Sequence, residues 1–289
     1  MTADSYTVLR NTADRVPLFF ILSLTALDFF LYFTVENFWA LSIYFVAMII
    51  PKGCICAWNH HHQHTKTFNQ TPWNRLLELA YAFHTGVTTN LWLLHHVFGH
   101  HHHYLDQSVD ESRWKRADGS TMGELEYTIN IALTAYYRGY QAGKRYPKHY
   151  RTHIIYTVVA FSIVGALTWY QPLQGMMLFV FPMMTGLLMT AWATYDHHAG
   201  LDETQDHFKA SYNNTNVVFN TLTGNLGYHT AHHYKQGLHW SELPRLHDEI
   251  KHNIPEELYF SSIWDMITNS FVGRAFKLSS KNPDSAPSP

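Results

Sequence analysis

Cysteine is nearly absent from this chain: among 289 residues only Cys54 and Cys56 carry a thiol. They stand two apart inside an apolar run, too close for an ordinary disulfide and unlike the CxxC of zinc or redox sites. Both read as residues that pack helices. Charge is also scarce. Twenty Lys and Arg against 22 Asp and Glu leave a net charge of -2, which gives no support to a nucleic-acid partner or an acidic tail. No cysteine set for an iron–sulfur centre, no glycine-rich dinucleotide fingerprint and no obvious haem-binding domain is present. The length suits one domain.

What is abundant is the aromatic ring. Phe, Trp and Tyr make up 16% of the chain, and its 22 histidines outnumber Lys and Arg combined. Apolar runs are the second signal. Residues 17–35 hold one charge, Asp28, and 38–58 are interrupted only by Pro51 and Lys52 near the end. A second pair, 154–170 and 173–195, again has almost nothing between its members. Each run is long enough to cross a bilayer, with Trp and Tyr at several ends. A mean hydropathy of -0.19 is compatible, because long polar segments dilute the spans. The first run lacks a basic leader and continues into the second, so it is not expected to be cleaved.

The expected fold is all-α, an integral membrane protein with four transmembrane helices in two hairpins and a cytosolic helical cap. A single domain is expected over residues 1–277, followed by a disordered Pro/Ser-rich tail, 278–289. The two short connectors carry no Lys or Arg; all 20 fall on the opposite side, which the positive-inside rule makes cytosolic, together with both termini. The segment 73–99 carries helical periodicity and is expected to be helical and mostly interfacial.

Histidines cluster where spans two and four emerge on that same side. Three boxes stand out: His60-x-x-x-His64, His96-x-x-x-His100-His101 and His229-x-x-His232-His233. Residues three and four apart share a helix face, so each box can aim two or three imidazoles at one point, as a metal cage requires. Asp196-His197-His198 could close the cage. His61, His62, His95, His102, His103 and His197 adjoin these positions and could support ligands instead. So many imidazoles exceed the needs of one zinc ion. Two ions with open positions suit the count better, although imidazole alone does not choose among iron, zinc, copper and nickel. A metal transporter or a zinc hydrolase explains the pattern less well: a transporter should carry ligands within spans or on both faces, and a hydrolase needs fewer histidines.

The order and spacing of the boxes, two between the hairpins and the last after the second hairpin, resemble the membrane fatty acid desaturase and hydroxylase superfamily over residues 60–233. The segment Tyr195-Asp196-His197-His198-Ala199-Gly200-Leu201 is similar to one in the alkane hydroxylases, which would make His198 the ligand and leave Asp196 and His197 beside it. The resemblance implies nine ligands, His60, His64, His96, His100, His101, His198, His229, His232 and His233, holding two irons. It also implies oxidation by dioxygen of an unactivated C–H bond in a fatty acid, acyl lipid or alkane. Desaturation is the first expectation; hydroxylation and oxidative decarboxylation to a terminal alkene would use the same site.

Electrons for dioxygen would come from an external donor such as a ferredoxin or rubredoxin with its reductase. The compact chain suggests a bacterial inner membrane. A substrate channel would be apolar; Phe29, Phe30, Trp92, Phe98, Met183, Met184 and Trp192 are compatible with it, and ordinary helix packing explains each equally well. Two further residues are candidates for substrate contact. Asp28 is an ionisable group inside a span, either lining a polar cavity or hydrogen-bonded between helices. Arg113, in a basic stretch with Lys115 and Arg116, could hold a carboxylate, though a solvated or lipid-facing loop is the favoured reading.

Overall fold

The structure, a computed structural model, describes residues 8–260; the expected tail at 278–289 and the domain end at 277 lie outside these. The described chain is helical almost throughout, with one two-residue parallel pair, Asn213–Asn214 against Tyr259–Phe260. Asn11 accepts from the backbone N–H of Ala13 and starts a short 3-10 turn that runs into α1, Arg15–Thr34. Asn37 then accepts from the N–H of Ala40 at 2.9 Å and caps α2, Phe38–His64. The tight link between these helices is thus a capping turn.

After α2 come α3 (Thr71–Thr85), a π-helix (Leu93–His101), α4 (Glu124–Gly143) and α5 (Pro147–Tyr170). A four-residue α6 (Pro172–Gly175) continues through a π turn (Met176–Val180) into α7 (Phe181–His198), and α8 (Val217–Thr223), α9 (His229–Tyr234) and α10 (Leu243–Ile250) follow. Four helical stretches, 12–34, 38–64, 147–170 and 172–198, are long and apolar enough to cross a membrane. All four outrun the apolar runs of the sequence at the end nearer the polar cap. α2 continues six residues past Trp58 because residues 55–63 are buried in the polar cap, and α7 extends to His198 for the same reason. Hydropathy locates the lipid and misses where a helix stops.

At the centre α2, α3 and α7 pack on one another, α4 lies along α7 and the π-helix, and α1 flanks α3. In lipid such contacts rest on close packing and hydrogen bonds. A cluster of Tyr32, Phe83 and Phe179 fills the space between α1, α3 and the helix leading to α7, and the Tyr32 hydroxyl donates to the carbonyl of Leu167 at 2.7 Å. Two glycines let α3 and α7 touch. A side chain on Gly86, whose φ is +66°, would strike the Met183 carbonyl, and one on Gly186 would strike that of His84. The left-handed Gly86 also ends α3.

Segment 73–99 departs from the expectation of a single interfacial helix. It is broken at Gly86 and again at Asn90, whose φ is 60°, and only its start faces outward. Trp73 and Leu76 are more than half exposed, whereas Val87, Leu91 and Trp92 are at most 2% exposed. The periodicity belongs to a core helix packed between the spans.

Lys52 is likewise not a residue of the polar face. It sits inside α2 and its ammonium donates to Asp28 Oδ2 at 2.7 Å, with both side chains almost wholly buried. Tyr44 donates to the other carboxylate oxygen at 2.7 Å, and His84 Nδ1 lies 3.4 Å from Oδ2. Of the two readings of Asp28, the hydrogen-bonded group between helices is the one seen. A second buried carboxylate, Glu78 of α3, accepts from Lys66 and Arg75 and meets the ring of His62, tying α3 to the end of α2.

Candidate metal centre

The histidine boxes reach one place from four elements. α2 ends with His60 and His64, the π-helix ends with His100 and His101, α7 ends with His198, and the short α9 carries His229, His232 and His233. Winding decides how the second box is used. In an α-helix His96 and His100 would share a face, but the wider π turn brings residue i to i+5. His96 Nε2 therefore meets His101 Nε2 at 3.0 Å, while His100 points to other partners.

Ring nitrogens form two groups. The first joins His60, His64, His96, His101 and His232, whose nitrogens all lie within 4.8 Å of one another. Its contacts include His60 to His232 at 2.8 Å and His232 to His101 at 3.1 Å, all Nε2 to Nε2. The second joins His100, His198 and His233, and His229 Nε2 lies 3.1 Å from both His198 and His233. All nine histidines expected from the sequence thus converge, five in one group and four in the other.

One further contact, between His100 and His198, is unfavourable between bare rings. The Nδ1–H of His198 donates to the Ala210 carbonyl at 2.8 Å, and that of His100 donates to the Asp110 carboxylate, 2.9 Å from each oxygen. Those acceptors cannot donate, so Nε2 of each neutral ring carries a lone pair, and the two lone pairs face each other at 3.2 Å. A cation between them turns repulsion into ligation. Burial holds the His96, His101, His229, His232 and His233 rings well below the usual imidazole pKa, and neighbouring imidazoles add to the effect. They are neutral donors. Both ring nitrogens of His64 and the Nδ1 atoms of His96, His101, His229 and His233 are buried without a hydrogen-bond partner. The residues fit a pair of metal ions, and an all-imidazole set with fewer than six donors at each leaves positions open.

Neighbouring histidines serve the scaffold. His61 Nε2 meets the Thr223 carbonyl at 3.1 Å and fastens α8 to α2; His95 Nε2 meets the Glu111 carbonyl at 3.1 Å. His197 stacks on His229 with ring centres 3.8 Å apart, and Trp92 lies parallel to His96. Asp196 is half-buried one turn-edge away. Sequence reasoning passed over Asp110, which orients His100 from a loop ten residues on; an acidic residue after a histidine box was the available signal.

The fatty acid desaturase family model matches residues 36–264, more than half of the chain. The chain belongs to the fatty acid desaturase family. No curated protein and no solved structure matches it. Membership accounts for the histidine order and brings with it oxidation of fatty acyl substrates as the family's chemistry.

For a desaturase-family protein the approach to the histidines matters as much as the cage. A cavity of about 310 Å³ runs between α2, α7 and α8 and reaches His60, His197 and His229. Trp92 and Trp192 line it, as the channel expectation allowed, and no Lys, Arg, Asp or Glu does. Its outer wall is α8, whose Val218 and Leu222 face the cavity yet are about half exposed outward. Neither Asp28 nor Arg113 borders this cavity. Asp28 is engaged by Lys52 and Tyr44, and Arg113 lies exposed on the loop after Asp110.

Proposed function

We propose that this protein uses dioxygen to oxidise an unactivated C–H bond of a fatty acyl chain, by desaturation, at two irons held by His60, His64, His96, His100, His101, His198, His229, His232 and His233. The observation that carries this reading is the cavity, which leads a hydrocarbon and no charged side chain to the histidines. Bound iron would supply the reduction of dioxygen to an oxidant able to take hydrogen from a methylene. The chain does the rest. α2, α7 and α8 exclude water and align the substrate, Asp110 and the Ala210 carbonyl hold their imidazoles in the tautomer that ligates, and His197 braces His229 by stacking.

The balance is simple: a –CH2–CH2– unit, dioxygen, two electrons and two protons give –CH=CH– and two waters. The electrons come from an external ferredoxin or rubredoxin with its reductase, docking on the polar cap. We assign that cap and both termini to the cytosol on the distribution of Lys and Arg, and the protein to a bacterial inner membrane on the compactness of the chain.

A second reading, oxidative decarboxylation to a terminal alkene, draws on the direction of the cavity. It follows α2 from the middle of a span toward the histidines at its end, so a fatty acid whose carboxylate stays at the membrane face presents its carboxyl-proximal carbons there. Hydroxylation would use the same approach. Mass spectrometry separates the three, with cells expressing the protein and a redox partner and fed deuterated fatty acids. Loss of two deuterons marks desaturation, a gained oxygen marks hydroxylation, and an alkene one carbon shorter marks decarboxylation. Two irons bound with no dioxygen-dependent product from any acid or alkane would overturn the proposal.

A further inference from the structure

We propose that Met189, laid across Gly53, is the stop that sets which acyl chain length this protein accepts, an inference that rests on the acyl-chain reading above. The cavity is bordered on α2 by Ile50, Gly53, Ala57 and His60 and on α7 by Met189, Ala193 and His197. These positions recur every three or four residues, so each set forms one helix face and the cavity runs along both helices. The histidines stand at one end and the Met189–Gly53 pair near the other.

Room between the helices is set by small side chains. Ala57, Thr190 and Ala193 border the cavity nearer the histidines and leave the gap open. Toward the far end the thioether narrows it, with Ile50 bordering the cavity about one turn beyond Gly53. A β-carbon on Gly53 would lie 2.2 Å from Met189 Cε and 3.1 Å from its sulfur, so the Met189 side chain crosses from α7 and rests on the α2 backbone. Only a residue without a side chain leaves space for it.

The depth follows from helix geometry. Seven residues separate Gly53 from His60 and eight separate Met189 from His197, which at 1.5 Å per residue is roughly 10 to 12 Å. An extended chain advances about 1.2 Å per bond. About ten carbons therefore fit between the stop and the histidines, which limits the stretch from the oxidised carbon to the methyl end to about ten carbons. Orientation is fixed by charge. A carboxylate at the Met189 end would lie within the span with no cation lining the cavity, so the methyl end points there and the head toward the histidines.

The test uses the full chain in detergent, metal-free and iron-loaded, the latter with dioxygen and a reduced ferredoxin and its reductase, with a ladder of saturated deuterated fatty acids from medium to long offered in competition. Acids retained by the metal-free protein and products of the iron-loaded protein are both read by mass spectrometry. Met189→Ala removes three heavy atoms beyond Cβ and is expected to favour chains about three bonds longer, changing the long-to-short ratio at least tenfold or so. Gly53→Ala dislodges the thioether and is expected to alter the preference when Met189 is present and not in the Met189→Ala background. Should Gly53→Ala fail to fold, Met189→Leu, with a smaller shift in the same direction, replaces it. Trp169→Ala, at a lipid-facing residue 90% exposed, leaves the profile unchanged. A Met189→Ala protein that keeps wild-type iron and turnover with an unaltered chain-length profile overturns the inference. A shifted retention profile with no oxidised product from any acid supports the stop and overturns the acyl-oxidation reading instead.

Discussion

The imidazole of His100 donates from Nδ1 to both oxygens of Asp110, 2.9 Å from each, with both side chains fully buried. The carboxylate fixes which nitrogen of His100 carries its proton and makes Nε2 a stronger donor to a metal. It also places one negative charge beside the centre. Asp110→Asn keeps the shape and loses the charge. We expect iron affinity to fall about 10- to 100-fold, measured as the chelator concentration that strips half the metal, with the helical circular dichroism unchanged.

The clustered histidines should differ from the rest in a way that metal content reports. His100→Ala or His232→Ala is expected to lower bound iron and abolish oxidation, whereas His149→Ala and His252→Ala retain both. Equal iron in all four variants would defeat the cage assignment. Activity must be read alongside iron, because an imidazole site takes up zinc according to its affinity order.

Inside the span, Lys52 and Asp28 hold each other. Removing one member leaves the other charge buried without its partner. Lys52→Met should therefore destabilise the protein by about 3–5 kcal/mol, and the double variant Asp28→Leu, Lys52→Met should recover most of that. Thermal unfolding in detergent checks the pair, and a double variant no more stable than Lys52→Met would show that the charges act independently.

Glu78 gives a pH dependence with a definite sign. Burial pushes its carboxyl up, but Lys66, His62 and Arg75 outweigh that and hold it below the ordinary value of 4.5. A carboxyl with a depressed native pKa stabilises fully above its unfolded value and loses that contribution as pH falls through the native one. Wild type should thus lose stability progressively below about pH 4.5. The gap between wild type and Glu78→Gln should narrow over the same range; a gap that stays constant on acidification would refute the assignment.

The sequence revealed the four spans, the polar cap and the three histidine boxes, because apolar runs and i, i+4 spacing are local signals; the choice of His198 over His197 came only with the family resemblance. It concealed what depends on backbone path. The π winding that pairs His96 with His101 instead of His100 leaves no mark in a spacing rule drawn from the α-helix. Segment 73–99 looked interfacial because its apolar face is as hydrophobic as a lipid-facing one; only tertiary packing shows that α7 covers it. Lys52 was read at the polar face for want of its partner, 24 residues earlier on another helix. Asp110 and Met189 act through contacts that no local pattern encodes.

Adjacent residues in two boxes serve different nitrogen groups: His100 and His101 part company, and so do His232 and His233. Neighbouring α-carbons are held about 3.8 Å apart by covalent geometry. The two nitrogen groups are therefore tied to each other through a single peptide bond at two separate points, like two leashes from one post. Breathing of the spans can tilt both groups together against the cavity, and drawing them apart requires the histidine side chains themselves to turn.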